Sequence, residues 1–150
     1  MTHRNLGTAL VLAALTATAP AFADGEADRA EIRRLVQQWV EAADGQNPAL
    51  AESTLHPQAM QYLPHTKAPG GLITFSRDQY VASIRAKKIG GSPRETTVLS
   101  IETDERSRNA VAKIEVRSET MIFYQFLGLT KAGDKDWTVV SVLSDIVRRQ

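Results

Sequence analysis

The chain has 150 residues, a length that suits one domain built around one core. Its 18 basic and 17 acidic residues nearly balance, so no basic surplus attracts phosphates, and nucleic acid is not an expected partner. The sequence contains no Cys, which excludes disulfides, thiolate catalysis, Cys-ligated zinc and a lipid anchor on cysteine. A domain without disulfides must be stabilised by its core alone.

The N-terminus carries the pattern of a secretory signal peptide. Arg4 supplies a positive charge, an uncharged apolar stretch runs from Leu6 to Ala19, and Ala21 and Ala23 are small residues at the positions that a signal peptidase reads. This order predicts a signal peptide over 1–23 and a periplasmic or secreted protein. The apolar run is too short to favour a membrane span, so none is expected after cleavage, although an uncleaved N-terminal anchor stays the alternative. Loss of Arg4 lowers the 18 basic residues to 17, equal to the 17 acidic ones.

The segment from Asp24 to Ala43 is predicted to form a helix. Its apolar residues recur at helical spacing and line one face: Ile32, Leu35, Val36, Trp39, Val40 and Ala43. Asp28 stands three residues before Glu31, which is the spacing of a capping box at a helix start. This helix is expected to bury Trp39 against a sheet.

Two shorter helices are predicted further along the chain. Asn47 and the proline after it favour a helix start. That helix is expected to end near His56, because the residue before a proline is pushed out of helical geometry. Ser76 and Gln79 have the spacing of a second capping box and predict a helix that continues to about Lys88.

The second half of the chain has the pattern of strands almost throughout. Residues 110–117 alternate between apolar and polar side chains, which is typical of a strand with one buried face. Residues 121–129 and 137–143 are rich in aromatic and β-branched side chains, and the polar turn between them contains Gly next to Asp, which predicts a hairpin. With a short strand over 59–63, the pattern predicts one α+β domain over 24–150, in which helices cover a curved antiparallel sheet.

Four short motifs accompany this order of elements: the helix around Trp39, the LHPQAM stretch at 55–60, the FLGL run at 126–129 and the WTVV strand at 137–140. In these features the chain resembles the nuclear transport factor 2-like superfamily, the fold shared with ketosteroid isomerase and SnoaL-type polyketide cyclases. Within it, the chain is most similar to the lumazine-binding branch of small exported proteins. The resemblance covers about the whole mature chain and implies a sheet that forms a cone, with three N-terminal helices packed on its concave face.

The resemblance also implies a hydrophobic pocket between the concave sheet and the helices, and often a dimer through the outer sheet face, so a homodimer is expected. It implies no particular chemistry, because this superfold hosts hydrolases, isomerases, dehydratases and plain binders. One departure affects a polar contact. Members of the branch often carry an acidic residue followed by an aromatic one before the Leu-x-Leu run, where this chain has Gln125 and Phe126.

Asp145 is the carboxylate that the strand pattern directs into the cone. Counting by two from Trp137 keeps Asp145 on the face that Trp137 buries, provided that no bulge intervenes. In that position it is expected to anchor a ligand by hydrogen bonding. The alternative is that the strand frays and the carboxylate is solvated beside Arg148 and Arg149, and the sequence leaves both open.

Few other residues point to chemistry. His56 and His65 are the only histidines of the mature chain and lack a partner at helical ligand spacing, so neither a metal site nor a cofactor is expected. Tyr62 and Tyr80 combine an apolar ring with a polar tip, which suits an amphipathic ligand as well as a core. No catalytic residue is assigned, and the predicted ligand-binding residues are His56, Tyr62, Tyr80, Gln125 and Asp145.

The function favoured by these observations is an exported module that holds a small apolar or aromatic molecule in its cone. One alternative is an enzyme of the ketosteroid isomerase or SnoaL type that uses Asp145 or His56 as a general base. Another is an interaction domain with a pocket filled by side chains and a dimerising outer sheet face. Fewer than two convergent titratable groups argue against acid–base catalysis. A cavity well below about 300 Å³ argues against a drug-sized ligand.

Overall fold

A computed structural model describes residues 22–104, 106–132 and 136–149. The elements in chain order are α1 (Phe22–Asp44), α2 (Pro48–Thr54), β1 (Leu55–Pro64), β2 (Leu72–Ser76), α3 (Arg77–Arg85), β3 (Glu95–Thr103), β4 (Asn109–Arg117), β5 (Met121–Lys131) and β6 (Trp137–Arg148). A single 3-10 turn, Pro69–Gly71, leads into β2. The predicted hairpin turn at 133–134 lies outside the described residues. So does the signal peptide predicted over 1–23, apart from the two residues with which α1 begins.

The two short helices begin as their capping signals predict. The side-chain oxygen of Asn47 accepts a hydrogen bond from the backbone N–H of Leu50 at 3.1 Å, at the start of α2. Ser76 and Gln79 form a reciprocal capping box at the start of α3. α2 ends at Thr54, two residues before the predicted end, because the chain passes directly into β1.

The predicted capping role of Asp28 and Glu31 is wrong, because α1 already begins at Phe22. Both carboxylates reach across to the hairpin of β5 and β6 instead. Asp28 accepts hydrogen bonds from Nζ of Lys131 and, at 3.0 Å, from the indole N–H of Trp137. Glu31 accepts from the backbone N–H of Trp137, also at 3.0 Å. Burial raises the pKa of Asp28, but the hydrogen bonds from Lys131 and Trp137 lower it, and the net pKa lies below its ordinary value.

The strands form one curved, unclosed sheet in the order β2-β1-β6-β5-β4-β3. This arrangement with its three helices confirms the predicted α+β class. The sheet is mixed rather than wholly antiparallel, since β1 runs parallel to β6 while the other neighbours are antiparallel. Parallel neighbours need a long crossover connection, and the chain supplies it by placing β2, α3 and three further strands between β1 and β6.

The core lies between α1 and the concave face of the sheet. Trp39, in the middle of the apolar face of α1, is only 3% exposed, which confirms its predicted burial. The strand residues packed in the same cluster alternate along their strands: Ala110, Ala112, Ile114, Val116, Leu127 and Leu129. A smaller cluster joins the three helices through Ala42, Ala51, Val81 and Ile84. None of the described helices is long and apolar enough to cross a membrane.

Candidate functional site

A cavity of about 300 Å³ lies between the helices and the concave face of the sheet. Most of its wall is aromatic or aliphatic and consists of Trp39, Ala43, Tyr62, Leu63, Phe75, Tyr80, Ile89, Phe123 and Ile146. The polar part of the wall consists of Gln61, Arg94, Gln125 and Ser144. Ligand pockets in proteins span about 300 to 1,000 Å³, so this volume suits a small molecule.

A chain of buried hydrogen bonds crosses the cavity wall from α1 to β6. The indole N–H of Trp39 donates to the side-chain oxygen of Gln125 at 3.2 Å, and the Gln125 amide nitrogen donates to Oγ of Ser144 at 2.9 Å. Both polar ends of the Gln125 amide are therefore satisfied, although the residue is only 8% exposed. Because Ser144 accepts through its oxygen, its hydroxyl proton is free for a further acceptor.

Tyr80 of α3 forms an aromatic wall together with Trp39. The two rings are stacked with centroids 4.9 Å apart and an interplanar angle of 24°. Burial raises the pKa of the Tyr80 hydroxyl, and the nearby charge of Arg94 opposes this only in part. The hydroxyl therefore stays protonated near neutral pH and keeps its proton available for donation to a ligand.

Arg94 brings a positive charge to the cavity wall. Its Nε donates to Oδ1 of Asp44 at 2.5 Å, and its backbone N–H donates to Oδ2 of Asp44 at 2.9 Å. The guanidinium carbon lies 5.2 Å from the centre of the Phe123 ring, which is a cation–π distance. These contacts fix the guanidinium in place, and they link the end of α1 to the start of β3.

The structure brings three of the predicted ligand-binding residues together, since Tyr62, Tyr80 and Gln125 all line the cavity. Tyr62 also lines a second hollow on the outer face of the sheet. His56 does not line the cavity. It lies at the start of β1, where its Nδ1 accepts a hydrogen bond from the backbone N–H of Gln58 at 3.2 Å.

The predicted inward orientation of Asp145 is wrong, because a bulge in β6 reverses the side-chain alternation. Leu129 of β5 pairs with Val139, but Gly128 pairs with Ser141, so Val140 is an extra residue in β6. Beyond the bulge, Val142 is fully buried and Asp145 is exposed on the outer face. Ser144 takes the inward place that the sequence had assigned to Asp145.

The outer face of the sheet carries a second hollow of about 420 Å³. We call its apolar residues the outer-face patch: Tyr62, Leu72, Tyr124, Phe126 and Leu143. Leu143 is 53% exposed and Phe126 43%, which is unusual for large apolar side chains that lie side by side. Lys113 and Asp145 flank the patch with opposite charges.

Several cavity residues were missed by the sequence analysis: Gln61, Arg94 and Ser144. Arg94 follows a loop, and its partner Asp44 lies 50 positions earlier, so no local pattern joins them. The position of Ser144 depends on the bulge. The signal that could have revealed the bulge is Gly128, because an isolated glycine inside a strand pattern is typical of a bulge or a close approach. A Cβ at Gly128 would lie 2.4 Å from Oγ of Ser141, so the Ser141 side chain occupies the space beside this glycine.

Within the described ranges, no three Asp, Glu or His side chains lie close enough together to hold a metal ion. The described residues that line the cavity include no Asp, Glu or His. Its polar wall consists of two amides, hydroxyl groups and one guanidinium. Such groups bind and orient a ligand through hydrogen bonds, which is the chemistry that this arrangement supports.

The fold is that of the nuclear transport factor 2-like proteins. The structure resembles an NTF2-like protein of unknown function from Silicibacter pomeroyi, with 19% identity, a TM-score of 0.67 and coverage of 83% of this chain and 98% of that one. It also resembles an NTF2-like protein of unknown function from Shewanella baltica, with 17% identity, a TM-score of 0.68 and coverage of 83% and 96%. A cystatin-like fold protein from Burkholderia xenovorans matches with 10% identity, a TM-score of 0.63 and coverage of 83% and 95%. At these identities the likeness establishes the fold alone.

The chain belongs to the family described as "Putative lumazine-binding", whose family model matches residues 27–143. This confirms the branch to which the sequence motifs pointed. No curated protein matches the chain.

Proposed function

We propose that this domain is an exported binding protein that holds a small apolar or aromatic molecule in the cavity between its helices and its sheet. The observation that carries the proposal is the composition of the cavity wall, in which stacked Trp39 and Tyr80 stand beside Phe75 and Phe123 with few polar groups between them. Apolar walls with a few placed polar groups are typical of small-molecule sites. The family name is consistent with a planar ligand.

Binding is favoured over turnover because of what the polar wall contains. General acid–base catalysis needs a group that takes up a proton near neutral pH, within hydrogen-bond reach of the reacting atom. Gln125 and Gln61 are amides that do not titrate, and burial raises the pKa of Tyr80 away from neutrality. His56 and Asp145, the two candidate bases named from the sequence, lie elsewhere.

Export is part of the proposal and is supported by the N-terminal pattern alone. A basic residue, an apolar stretch and small residues at Ala21 and Ala23 stand in the order of a cleaved signal peptide. The mature protein would then begin at Asp24 and act in the periplasm or outside the cell. A domain without Cys gains nothing from the oxidising conditions there, so its stability depends on the core around Trp39.

A homodimer through the outer-face patch completes the proposal. The patch exposes large apolar side chains, and its two flanking charges, Lys113 and Asp145, are opposite in sign. A two-fold axis can be placed through such a patch so that Lys113 of one copy lies near Asp145 of the other, which would make the surface complementary to itself. In that arrangement a second copy of this chain covers the apolar residues and pairs both charges.

The test is native mass spectrometry of the mature protein purified from its own host. The expected spectrum contains a dimer that carries a retained small molecule of low polarity, one per chain. Release of the molecule with organic solvent and its accurate mass then give its composition. A dimer with an empty cavity, which also fails to take up any aromatic probe, would contradict the binding function.

A further inference from the structure

We propose that the ligand of this cavity carries one carboxylate, which the guanidinium of Arg94 receives, while its ring system lies against Trp39, Tyr80 and Phe123. The inference rests on the proposed binding function and names the chemical class of the ligand. Its starting point is the position of Arg94. This residue lines the cavity, and its side chain is only 16% exposed.

The guanidinium is oriented before any ligand arrives. The Asp44 carboxylate accepts hydrogen bonds from Nε and from the backbone N–H of Arg94. The guanidinium carbon lies 5.2 Å from the centre of the Phe123 ring. The Nη groups have no hydrogen-bond acceptor among the described residues. A guanidinium presents its N–H groups in a planar fork that matches the two oxygens of a carboxylate. A ligand carboxylate therefore meets a donor whose geometry is already fixed.

The rest of the polar wall also donates. The Tyr80 hydroxyl is kept protonated, and the Ser144 hydroxyl accepts from Gln125 and retains its own proton for donation. The amide nitrogen of Gln61 is buried and has no partner among the described residues. Gln61 lines the cavity, and half a turn of its amide exchanges the positions of the oxygen and the nitrogen, so the NH₂ group can donate to a ligand acceptor. A wall of donors selects a ligand rich in acceptors.

The charge balance limits the ligand to one negative charge. Arg94 and Asp44 form an ion pair with no net formal charge, and no second cation lines the cavity among the described residues. A ligand carboxylate therefore adds one negative charge, which the free N–H groups of the guanidinium and the hydroxyl donors stabilise. A phosphate monoester would add close to two negative charges at neutral pH, and burying the second one without a further cation is costly. The cavity of about 300 Å³ leaves room for one or two rings beside the carboxylate.

The experiment uses the full mature chain and three matched probes: 2-naphthoate, 2-naphthamide and 2-naphthyl phosphate. Binding is measured by calorimetry and by the change in tryptophan fluorescence, since Trp39 is in the cavity wall. We expect 2-naphthoate to bind about 10- to 100-fold more tightly than the neutral amide, the range of a hydrogen bond to a charged group. The phosphate is expected to bind more weakly than 2-naphthoate.

Two variants test the assignment to Arg94 and its neighbour. Arg94→Met should remove the preference for the acid over the amide. Its control is Arg85→Met, because Arg85 is 63% exposed, pairs with Glu52 and lies outside the cavity wall. Arg94→Met also breaks the contact with Asp44, so Gln61→Leu provides a variant that removes no existing hydrogen bond. Gln61→Leu should lower the affinity for 2-naphthoate by about 3- to 10-fold. The midpoint of thermal unfolding should stay unchanged or rise.

The outcomes separate this inference from the binding function. Equal affinity for 2-naphthoate and 2-naphthamide would overturn the carboxylate assignment and leave the binding function standing. A preference for the acid that survives in folded Arg94→Met would also overturn it. Failure of all three probes together with an empty cavity in the native mass spectrum would overturn both proposals.

Discussion

The indole N–H of Trp39 donates to the side-chain oxygen of Gln125 over 3.2 Å, although the two residues lie 86 positions apart in the sequence. Both residues are buried, and Gln125 continues the chain of hydrogen bonds to Ser144. The bond therefore joins α1 to β5 and indirectly to β6. It fixes how α1 lies across the sheet, which apolar contacts alone leave less specific.

Substitutions at Trp39 should separate the hydrogen bond from the burial of the ring. Trp39→Phe keeps an aromatic ring but leaves the Gln125 oxygen unpaired in the core, so we expect a loss of about 1–3 kcal/mol in the free energy of unfolding. Trp39→Ala also leaves a large void, and we expect a loss of about 3–5 kcal/mol. Urea denaturation followed by circular dichroism measures both losses. The control is Ala substitution of Arg33, an exposed residue of α1. A midpoint for Trp39→Phe equal to that of the wild type would show that the bond contributes nothing.

Asp28 should make the stability of the domain depend on pH. The pKa of Asp28 is lower in the folded protein than in the unfolded chain, where it is roughly 4. The contribution of Asp28 to the free energy of unfolding is therefore fully present above the unfolded pKa and is lost as the pH falls through the lower folded pKa. Asp28→Asn should therefore lower the free energy of unfolding at pH 7 by about 1–2 kcal/mol, through the loss of charged hydrogen bonds to Lys131 and Trp137. The difference in the free energy of unfolding between wild type and Asp28→Asn should shrink towards pH 2.

Denaturant titrations at several pH values measure this effect. Other carboxylates titrate in the same range, but they are common to both proteins and cancel in the difference. Asp78→Asn is the matched control, because the Asp78 side chain is 88% exposed. A difference between wild type and Asp28→Asn that stays constant from pH 7 to pH 2 would contradict the role given to the ionised carboxylate.

The outer-face patch should decide the oligomeric state. Leu143→Glu places a charge in the middle of the patch, so we expect the dimer to dissociate into folded monomers at micromolar concentration. Light scattering coupled to size-exclusion chromatography measures the mass, and circular dichroism checks the fold. Leu99→Glu is the control, since Leu99 is 48% exposed but lies outside the patch. A wild-type protein that is monomeric at high concentration would contradict the dimer.

The two charges beside the patch allow a finer test of the same interface. Lys113→Glu should weaken the dimer by about 1–2 kcal/mol, because two like-charged pairs replace two attractive ones across the two-fold axis. Asp145→Lys in the same chain should restore the affinity. Sedimentation at low and at physiological salt measures both, with a smaller effect at higher salt. Failure of the double variant to recover would show that Lys113 and Asp145 do not face each other.

The N-terminus of the exported protein should be Asp24. Sequencing of the periplasmic or secreted form by Edman degradation or mass spectrometry reads it directly. Ala23→Arg should block processing, because a signal peptidase requires a small residue there, and the precursor should stay with the membrane. An intact Met1 on the wild-type protein in the membrane fraction would favour the uncleaved anchor instead.

Local signals predicted the elements with good accuracy in this chain. The helical repeat around Trp39 and the capping residues Asn47 and Ser76 act over a few positions, and each has the predicted consequence in the structure. The capping role of Asp28 and Glu31 failed for a reason that is not local. The same spacing that suits a cap also places two carboxylates on one side of a helix, and here they bind the hairpin that contains Trp137.

The candidate site shows the same division. Tyr62, Tyr80 and Gln125, three of the residues named from the sequence, line the cavity, whereas Asp145 lies on the opposite face of the sheet. Counting by two along a strand holds only while the pleat is regular, and one extra residue at Val140 moves every later side chain to the other face. The glycine at 128 was the only local hint of that irregularity.

The sequence by itself determined which segments become helices and strands, which family the chain belongs to, and that the apolar face of α1 is buried. These features follow from the order of side chains along single segments. The tertiary structure alone decided that β1 lies parallel to β6, that Ser144 rather than Asp145 faces the cavity, and that Arg94 meets Asp44 across 50 positions of chain. Those facts depend on how distant segments pair and pack. Contacts between distant segments are selected by the free energy of the whole fold, which no short stretch of sequence contains.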